Sequence, residues 1–414
     1  MTGPRASSFS RRGYLRAAVA AGGTAALSAC LGTTDTGEVP RGDPADRPER
    51  QHAWNAVLPT DDHGNDRPPE HRVLVPLRLR TDPDSDARSQ VEAAFRRLES
   101  AYDYGPDGLL FTVGYSAAYF DRLDTAVTPI PEPDALTSME SPAFDEFDAI
   151  VHLASNEPSV VLEAEEALFG EAEPNGLEPE SLAGIFERAA PRRTGFVGEG
   201  LPAEHTDVPG VPDGIPADAP FFMGFNSGVA ESQAPEDRVT IEDGPFAGGT
   251  TLHVSTIDLN LQQWFEQDSH DQRVAKMYSP QHVGDVEQTG AALGSSTGAA
   301  AVSDDTESDA RTRGIVGHAQ KAARARDTDG TPPVLRRDVN TIDGDTPGVH
   351  FIAYQRSIDE FVRVRDAMTG ADLTDGGVGQ RLNNGILQYL LVRRRGNFLI
   401  PPRSSRALPD PNHP

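Results

Sequence analysis

The first half of the chain shows sequence patterns in the order strand, helix, strand, strand, helix, and this order limits the folds that it can form. In the first half, apolar strand patterns lie at residues 71–79, 108–115 and 148–155. Apolar residues at helical spacing follow the first strand at residues 89–102, and a second helix pattern follows the third strand at residues 158–169. This is the order of a ferredoxin-like α+β unit, an antiparallel sheet with helices packed on one face.

A similar pattern occupies the second half, beyond a connector rich in Pro, Gly and Asp at residues 199–220. It comprises strands at residues 250–259 and 349–354 and a helix at residues 358–368, although no residue-level repeat is visible. The small, polar and acidic residues 284–310 are predicted to form an exposed loop. We therefore expect a second ferredoxin-like unit.

The balance of charge excludes some partners. There are 64 Asp plus Glu against 37 Lys plus Arg, and only Lys276 and Lys321 are lysines. A net charge of −27 repels nucleic acid and anionic membrane surfaces. An acidic, lysine-poor surface is typical of salt-adapted proteins, so we interpret the charge as solvation in high salt. The chain also lacks Cys-x-x-Cys, phosphate-loop and HExxH motifs, which argues against thiol redox, nucleotide and zinc-protease classes.

The N-terminus carries an export signature. Ser-Arg-Arg-Gly-Tyr-Leu at residues 10–15 is a twin-arginine motif, and a small, apolar stretch follows at residues 17–26. Leu-Ser-Ala-Cys at residues 27–30 is similar to a lipobox, in which the single cysteine, Cys30, receives lipid. We expect export by the twin-arginine pathway and an extracytoplasmic protein anchored to the cell membrane at Cys30. Export with cleavage but no lipid, or an arginine pair beside a buried helix, are the alternatives.

The residues after the cysteine are polar, charged and rich in proline, so they cannot bury enough apolar surface to fold by themselves. They are predicted to form a tether, in which only the apolar residues 53–58 would dock. The predicted parts of the chain are a signal at residues 1–30, a disordered tether at 31–69, ferredoxin-like domains at 70–205 and 206–405, and a tail at 406–414.

One histidine and a pair of arginines suggest chemistry in the second half. His318 lies in a polar turn, and Arg336 and Arg337 follow 18 and 19 residues later. A neutral imidazole is a common ligand for haem iron, and a guanidinium nearby suits a negatively charged iron ligand. His318 is therefore a candidate iron ligand, and a surface histidine is the alternative.

Several segments over residues 70–405 resemble the dye-decolorising peroxidase family, which includes exported haem enzymes also called deferrochelatases. The similar segments are residues 110–116 with 119–122, 249–264, 317–319 with 334–337, 348–356 and 398–402. The resemblance implies two ferredoxin-like domains of the dimeric α/β-barrel type, with haem b held in the second.

The resemblance also implies roles for single residues. His318 would be the proximal iron ligand, and its other nitrogen would need a partner such as Asp366, Asp372 or Asp375. Arg336, with Arg337 as its nearest rival, would be the distal arginine. Its guanidinium would stabilise the charge that develops as a peroxide O–O bond breaks.

The chain departs from the family in the distal motif. Where the family has Gly-x-x-Asp-Gly, this sequence has Gly-Phe-Asn-Ser-Gly at residues 224–228. Ser227 takes the catalytic position, but a serine without a partner is a poor general base, and losing such a group typically costs about 10²–10⁴ in rate. The glycines Gly224 and Gly228 and the aromatic Phe225 are candidate cofactor-binding residues.

Two neighbouring residues offer further possibilities. Glu231, three residues beyond the motif, could replace the missing carboxylate or be an ordinary surface residue. Met223 could be an additional iron ligand or part of the core.

The expected function is that of an exported, lipid-anchored, peroxidase-like haem protein that reduces hydrogen peroxide with an unknown electron donor. The alternatives are a catalytically weak haem-binding or carrier protein and a non-catalytic surface lipoprotein on the same scaffold. No nucleic acid is expected, the membrane is contacted only through the anchor, and a homo-oligomer is left open.

Overall fold

The computed structural model describes residues 39–123, 129–376, 378–379 and 381–412. The twin-arginine motif, the apolar segment after it and Cys30 lie outside the described residues. Within the described part, no helix is both long enough and apolar enough to cross a membrane.

The first unit is an antiparallel sheet covered by two helices. Its elements are β1 (His71–Leu79), α1 (Ser85–Ala101), β2 (Leu110–Tyr115), α2 (Ala117–Phe120), β3 (Ala143–Phe144), β4 (Ala149–Ser155), α3 (Pro158–Ala167), β5 (Phe186–Arg188) and β6 (Arg193–Phe196). Four strands pair in the order β2-β4-β1-β6. The first helix begins after Asp84, whose carboxylate accepts a hydrogen bond from the Ala87 N–H at 2.8 Å and so satisfies a free donor of the first turn.

The second unit repeats this connectivity with a long insertion. Its elements are β7 (Thr250–Leu259), α4 (His270–Met277), α5 (Thr306–Arg313), α6 (His318–Ala323), β8 (Leu335–Arg336), β9 (Val339–Thr341), β10 (Gly348–Gln355), α7 (Ile358–Thr369) and β11 (Leu390–Ile400). Its main strands pair in the order β9-β10-β7-β11. In both units the order is second, third, first, fourth, so the predicted α+β fold of two ferredoxin-like units is confirmed.

The two sheets join at both edges and form one closed ring of strands. The pairs that close it are Phe196 with Asn340, between β6 and β9, and Tyr115 with Leu399, between β2 and β11. A glycine permits the close approach at each junction. A Cβ on Gly195 would collide with Val339, and a Cβ on Gly114 would lie 3.0 Å from the Phe398 Cβ.

Ring closure buries the strands of the first unit on both faces. Along β1, Val73 and Val75 pack under α1 and α3, whereas Leu74 belongs to the apolar cluster that both sheets form inside the ring. This double burial explains why the strands have nearly continuous apolar sequences.

Parts of the predicted tether and tail pack against the folded body, and they include the apolar segment 53–58 that was expected to dock. Trp54, in the apolar segment 53–58, is fully buried, and its Nε1 donates to the Gln51 carbonyl at 2.9 Å. In the tail, Leu408 is fully buried. The predicted loop at residues 284–310 contains short helices and the first part of α5, so the exposed-loop prediction is wrong there.

Candidate functional site

A cavity of about 270 Å³ lies on the outer face of the second sheet. Its walls come from β7 and β10, from residues 221–228, and from α6 and α7. Most of the lining is apolar, and examples are Ile257, Leu259, Val349, Phe351, Val364 and Met368. Small-molecule sites typically combine such apolar walls with a few polar groups.

His318 is held on the cavity wall at the start of α6. The chain passes close to the Tyr278 carbonyl here, and a Cβ on Gly317 would collide with it. The same carbonyl accepts a hydrogen bond from the Gln320 N–H at 3.1 Å. On the other side, a Cβ on Gly385 would lie 3.0 Å from the His318 Cα, so two glycines confine the start of the helix.

One of the two lysines fixes α6 to α7. The Lys321 Nζ donates to the Met368 carbonyl and to the Asn384 Oδ1. The Asn384 side chain in turn donates to the Thr369 carbonyl at 2.8 Å. This buried network keeps α6 against α7 and so fixes the position of His318.

The His318 imidazole is neutral and is not engaged by a described side chain. Burial, together with the charges of Lys321, Arg336 and Arg365, lowers its pKa to about 3. Within the described residues its ring makes no hydrogen bond, and the residue stays half-buried because it borders the cavity. A neutral ring nitrogen that faces an apolar cavity can coordinate a metal.

The predicted partners of His318 are not assigned by these contacts. Asp372 pairs with Arg324, and no contact joins Asp366 to the imidazole in the described part of the chain. The side chain of Asp375 lies outside the described residues.

Strand alternation separates the two arginines. Arg336, in β8, borders the cavity, whereas Arg337 points into the ring. There the Arg337 guanidinium lies 4.2 Å from the centre of the Trp54 ring and 3.0 Å from a Glu236 carboxylate oxygen. Successive side chains of an extended segment face opposite sides, so of these two arginines only Arg336 reaches the cavity.

Neighbouring polar groups hold Arg336 in place. The Gln233 amide accepts from the Arg336 N–H and donates to its carbonyl, both at 2.9 Å. The guanidinium donates to the Ser227 Oγ and to the Ser232 Oγ, both at 3.3 Å. Ser227 therefore contacts Arg336.

Asp338, two residues after Arg336, shares the same side of the segment and also lines the cavity. Its Oδ1 accepts the Ile352 N–H of β10 at 2.9 Å, and its Oδ2 lies 3.6 Å from the Arg336 Nη1. Burial raises its pKa to about 6, against the opposing effects of Arg336, the Ile352 N–H and Arg72. Sequence reasoning missed this residue, although its two-residue spacing from Arg336 in an extended segment was the available signal.

The motif at residues 224–228 borders the cavity as a loop. Phe225, Ser227 and Gly228 line it, whereas Gly224 does not and adopts a positive φ of 84°. The Asn340 Oδ1 accepts the Phe222 N–H at 2.9 Å and holds the preceding residues against β9.

The two further candidates have different positions. Met223 lines the cavity but is 8% exposed and belongs to the core cluster around Trp264. Glu231 is exposed and does not line the cavity, so it does not replace the missing carboxylate.

A cationic wall adds to the site. Arg365 and Arg395 line the cavity and both pair with the Glu140 Oε2, at 3.3 Å and 2.9 Å. Within the described residues the Arg365 Nε is buried without a hydrogen-bond partner. Two guanidinium groups share one carboxylate, so this wall carries a positive charge that an anionic ligand group would neutralise.

Solved structures with a similar fold include dye-decolorising peroxidases. Similar solved structures include the encapsulated DyP-type peroxidase from Mycobacterium smegmatis, with a TM-score of 0.54, 16% identity, and coverage of 86% of this chain and 98% of that chain. The dye-decolorizing protein from V. cholerae has a TM-score of 0.53, 16% identity, and coverage of 84% and 97%. A DypB variant from Rhodococcus jostii RHA1 in complex with haem has a TM-score of 0.52, 15% identity, and coverage of 86% and 97%.

The chain belongs to a family of unknown function, DUF7405, whose model matches residues 69–402. No curated protein matches it. At 15–16% identity, the likeness to the solved structures establishes the scaffold, and the roles of His318, Arg336 and Ser227 stay predictions.

Proposed function

We propose that this protein binds haem and reduces hydrogen peroxide with an electron donor that the sequence does not identify. The observation that carries the proposal is the neutral imidazole of His318, without a hydrogen bond to a described residue, on an apolar cavity wall that Arg336 shares. The solved structures of the same fold support it, because they include peroxidases and a complex with haem.

The residues of the cavity fit a haem group. Apolar side chains suit the porphyrin faces, and the neutral imidazole suits the iron. The buried Arg365 Nε lacks a partner among the described residues and would bind a carboxylate of the porphyrin. When bound, haem supplies the redox chemistry of peroxide cleavage, and the b type stays a prediction.

The remaining groups would act on the peroxide. The Arg336 guanidinium would hold a negatively charged oxygen. Gln233 fixes the backbone of Arg336, and Ser227 and Ser232 orient its guanidinium before any ligand enters. Apolar walls exclude water and so strengthen this electrostatic interaction.

The serine at position 227 favours a second candidate function, haem binding or transport with weak turnover. A hydroxyl cannot accept a proton near neutral pH as a carboxylate does. A peroxidase assay on the haem-loaded protein in high salt separates the two functions.

We also propose that the protein is exported by the twin-arginine pathway and carries lipid on Cys30. Replacing Cys30 with serine should release the protein from the membrane fraction of its host. A membrane-bound Cys30→Ser variant would contradict lipid anchoring.

The test of haem binding is a titration of the purified protein with haem, followed by absorbance. We expect a Soret band in the wild type, its loss or displacement in His318→Ala, and an unchanged band in His63→Ala, since His63 is exposed and lies outside the cavity. Absence of haem uptake by the wild type would leave only the surface-lipoprotein alternative.

A further inference from the structure

We propose that Asp338 is the proton acceptor of the site. It would replace the aspartate that dye-decolorising peroxidases have where this chain has Ser227. This inference rests on the proposed function. It assigns a catalytic role to a residue outside the Gly-Phe-Asn-Ser-Gly motif.

The first support is uniqueness. The chain has 64 acidic residues, but Asp338 is the only Asp or Glu among the described residues that line the cavity. Glu140 pairs with the cationic wall, and Glu231 is exposed away from the cavity. Among the described residues, Asp338 is therefore the one carboxylate that can act as a proton acceptor within the cavity.

The second support is the orientation of the carboxylate. Its Oδ1 accepts the Ile352 N–H of β10 at 2.9 Å. The backbone pairing with β10 is interrupted between β8 and β9, so the side chain replaces a backbone acceptor there. Its Oδ2 lies 3.6 Å from the Arg336 Nη1, which is longer than a hydrogen bond. This oxygen keeps a lone pair for a ligand that Arg336 also contacts.

The third support is the electrostatic setting. The charged groups that act on Asp338 are Arg336 from its own segment and Arg72 from β1, and Ile352 of β10 supplies a hydrogen bond. Burial outweighs them and raises the pKa of Asp338 to about 6. A general base is most effective when its pKa lies near the working pH, which an ordinary exposed aspartate does not achieve.

The proposed step is a single proton transfer. The ionised Asp338 Oδ2 takes one proton from hydrogen peroxide, giving the carboxylic acid and a hydroperoxide anion. The Arg336 guanidinium holds the anion's negative charge. Hydrogen cyanide would be deprotonated in the same way and serves as a probe that undergoes no turnover.

The test uses the haem-loaded protein and measures the rate of cyanide association against pH. In the wild type the rate should rise through about pH 6, the pKa of Asp338. In Asp338→Asn the rise should disappear and the rate above it should fall by about 10²–10⁴. Glu231→Gln is the matched control, and its profile should follow the wild type.

A second readout needs no haem. Infrared difference spectra of the haem-free protein should show a carboxylic acid band that titrates near pH 6 in the wild type and is missing in Asp338→Asn. Asp338→Glu keeps a carboxylate and should restore part of the cyanide profile.

The outcomes are distinct. Failure of the wild type to take up haem overturns the proposed function and this inference with it. Haem uptake with the same cyanide profile in the wild type and in Asp338→Asn overturns the role of Asp338 alone. A profile that changes in Glu231→Gln but not in Asp338→Asn transfers the role to Glu231 and also overturns the inference.

Discussion

The two ferredoxin-like units use the same face of their sheets differently. In the first unit, α1 and α3 fill the outer face with side chains such as Phe95, Leu98 and Val161. In the second unit, the corresponding face borders the cavity, and the chain between β7 and β8 forms its walls. One connectivity therefore supports a solid core in one half and a binding site in the other.

The difference shows how a site is placed in a repeated fold. The connection between the first two main strands comprises residues 80–109 with one helix in the first unit, but residues 260–338, which include the short β8, in the second. That insertion brings His318 to the sheet, while strand alternation brings Arg336 and Asp338 to the same cavity. Together with the cationic wall of Arg365 and Arg395, they place charged groups in a mostly apolar lining.

The largest loss of stability should come from a substitution on the outer face of the first sheet, which α1 and α3 cover. Phe95 is 0% exposed, so Phe95→Ala should lower the free energy of unfolding by about 3–5 kcal/mol. Phe351→Ala should cost less than half as much, because Phe351 is half-buried and borders the cavity. Denaturant unfolding of the haem-free variants measures both losses, and equal losses would contradict the comparison.

A substitution on the face that borders the cavity should change the rate of reaction with peroxide. Arg336→Leu should keep haem uptake but lower the rate of reaction with peroxide by about 10²–10³, or about 3–4 kcal/mol, because a positioned donor to the anion is lost. Stopped-flow absorbance measures this rate. Arg313→Leu, on exposed α5, is the control, and an Arg336→Leu rate equal to that of the control would remove the role of Arg336.

A smaller effect concerns the free energy of unfolding, which a substitution at Asp338 should raise rather than lower. The pKa of Asp338 rises from 3.8 to about 6 on folding, so its stabilising contribution is complete below pH 3.8 and is lost as the pH rises through about 6. Asp338→Asn should therefore be more stable than the wild type by about 2–3 kcal/mol near pH 8. Near pH 3 the difference should vanish.

Asp343 serves as a control, because the pH dependence of its contribution to stability should be opposite to that of Asp338. Burial raises the pKa of Asp343, but hydrogen bonds from His350 and Thr194 lower it below its usual value overall. Asp343→Asn should therefore destabilise the protein at neutral pH, and this loss should fade in acid. Thermal unfolding across pH measures both variants, and stabilisation by both would contradict the assignment.

The strands and helices could be predicted well, because the spacing of apolar residues along the sequence follows the side chains that are buried. The strands at residues 71–79 and 250–259 match the predicted ranges, since apolar side chains mark their full length. The barrel arrangement was implied by the family resemblance alone, because each junction of the ring depends on one residue pair and on the small size of Gly195 and Gly114, which no sequence pattern marks. The docking of residues 53–58 was expected, but the partners of Trp54, such as Arg337 and His152, lie far away in the sequence and could not be predicted.

The site was predicted in part. His318 and Arg336 both border the cavity, whereas Arg337 does not, and the catalytic roles stay predictions. Asp338 was missed because its two-residue spacing from Arg336 is a weak signal in an acidic chain, and because its hydrogen bond with the distant Ile352 cannot be read from the sequence.

The most direct measurement is a crystal structure of the protein grown with haem. We predict that the haem occupies this cavity, that a ring nitrogen of His318 holds it, and that Arg336 and Asp338 lie beside it. Haem bound through another residue, or outside this cavity, would contradict the proposed site.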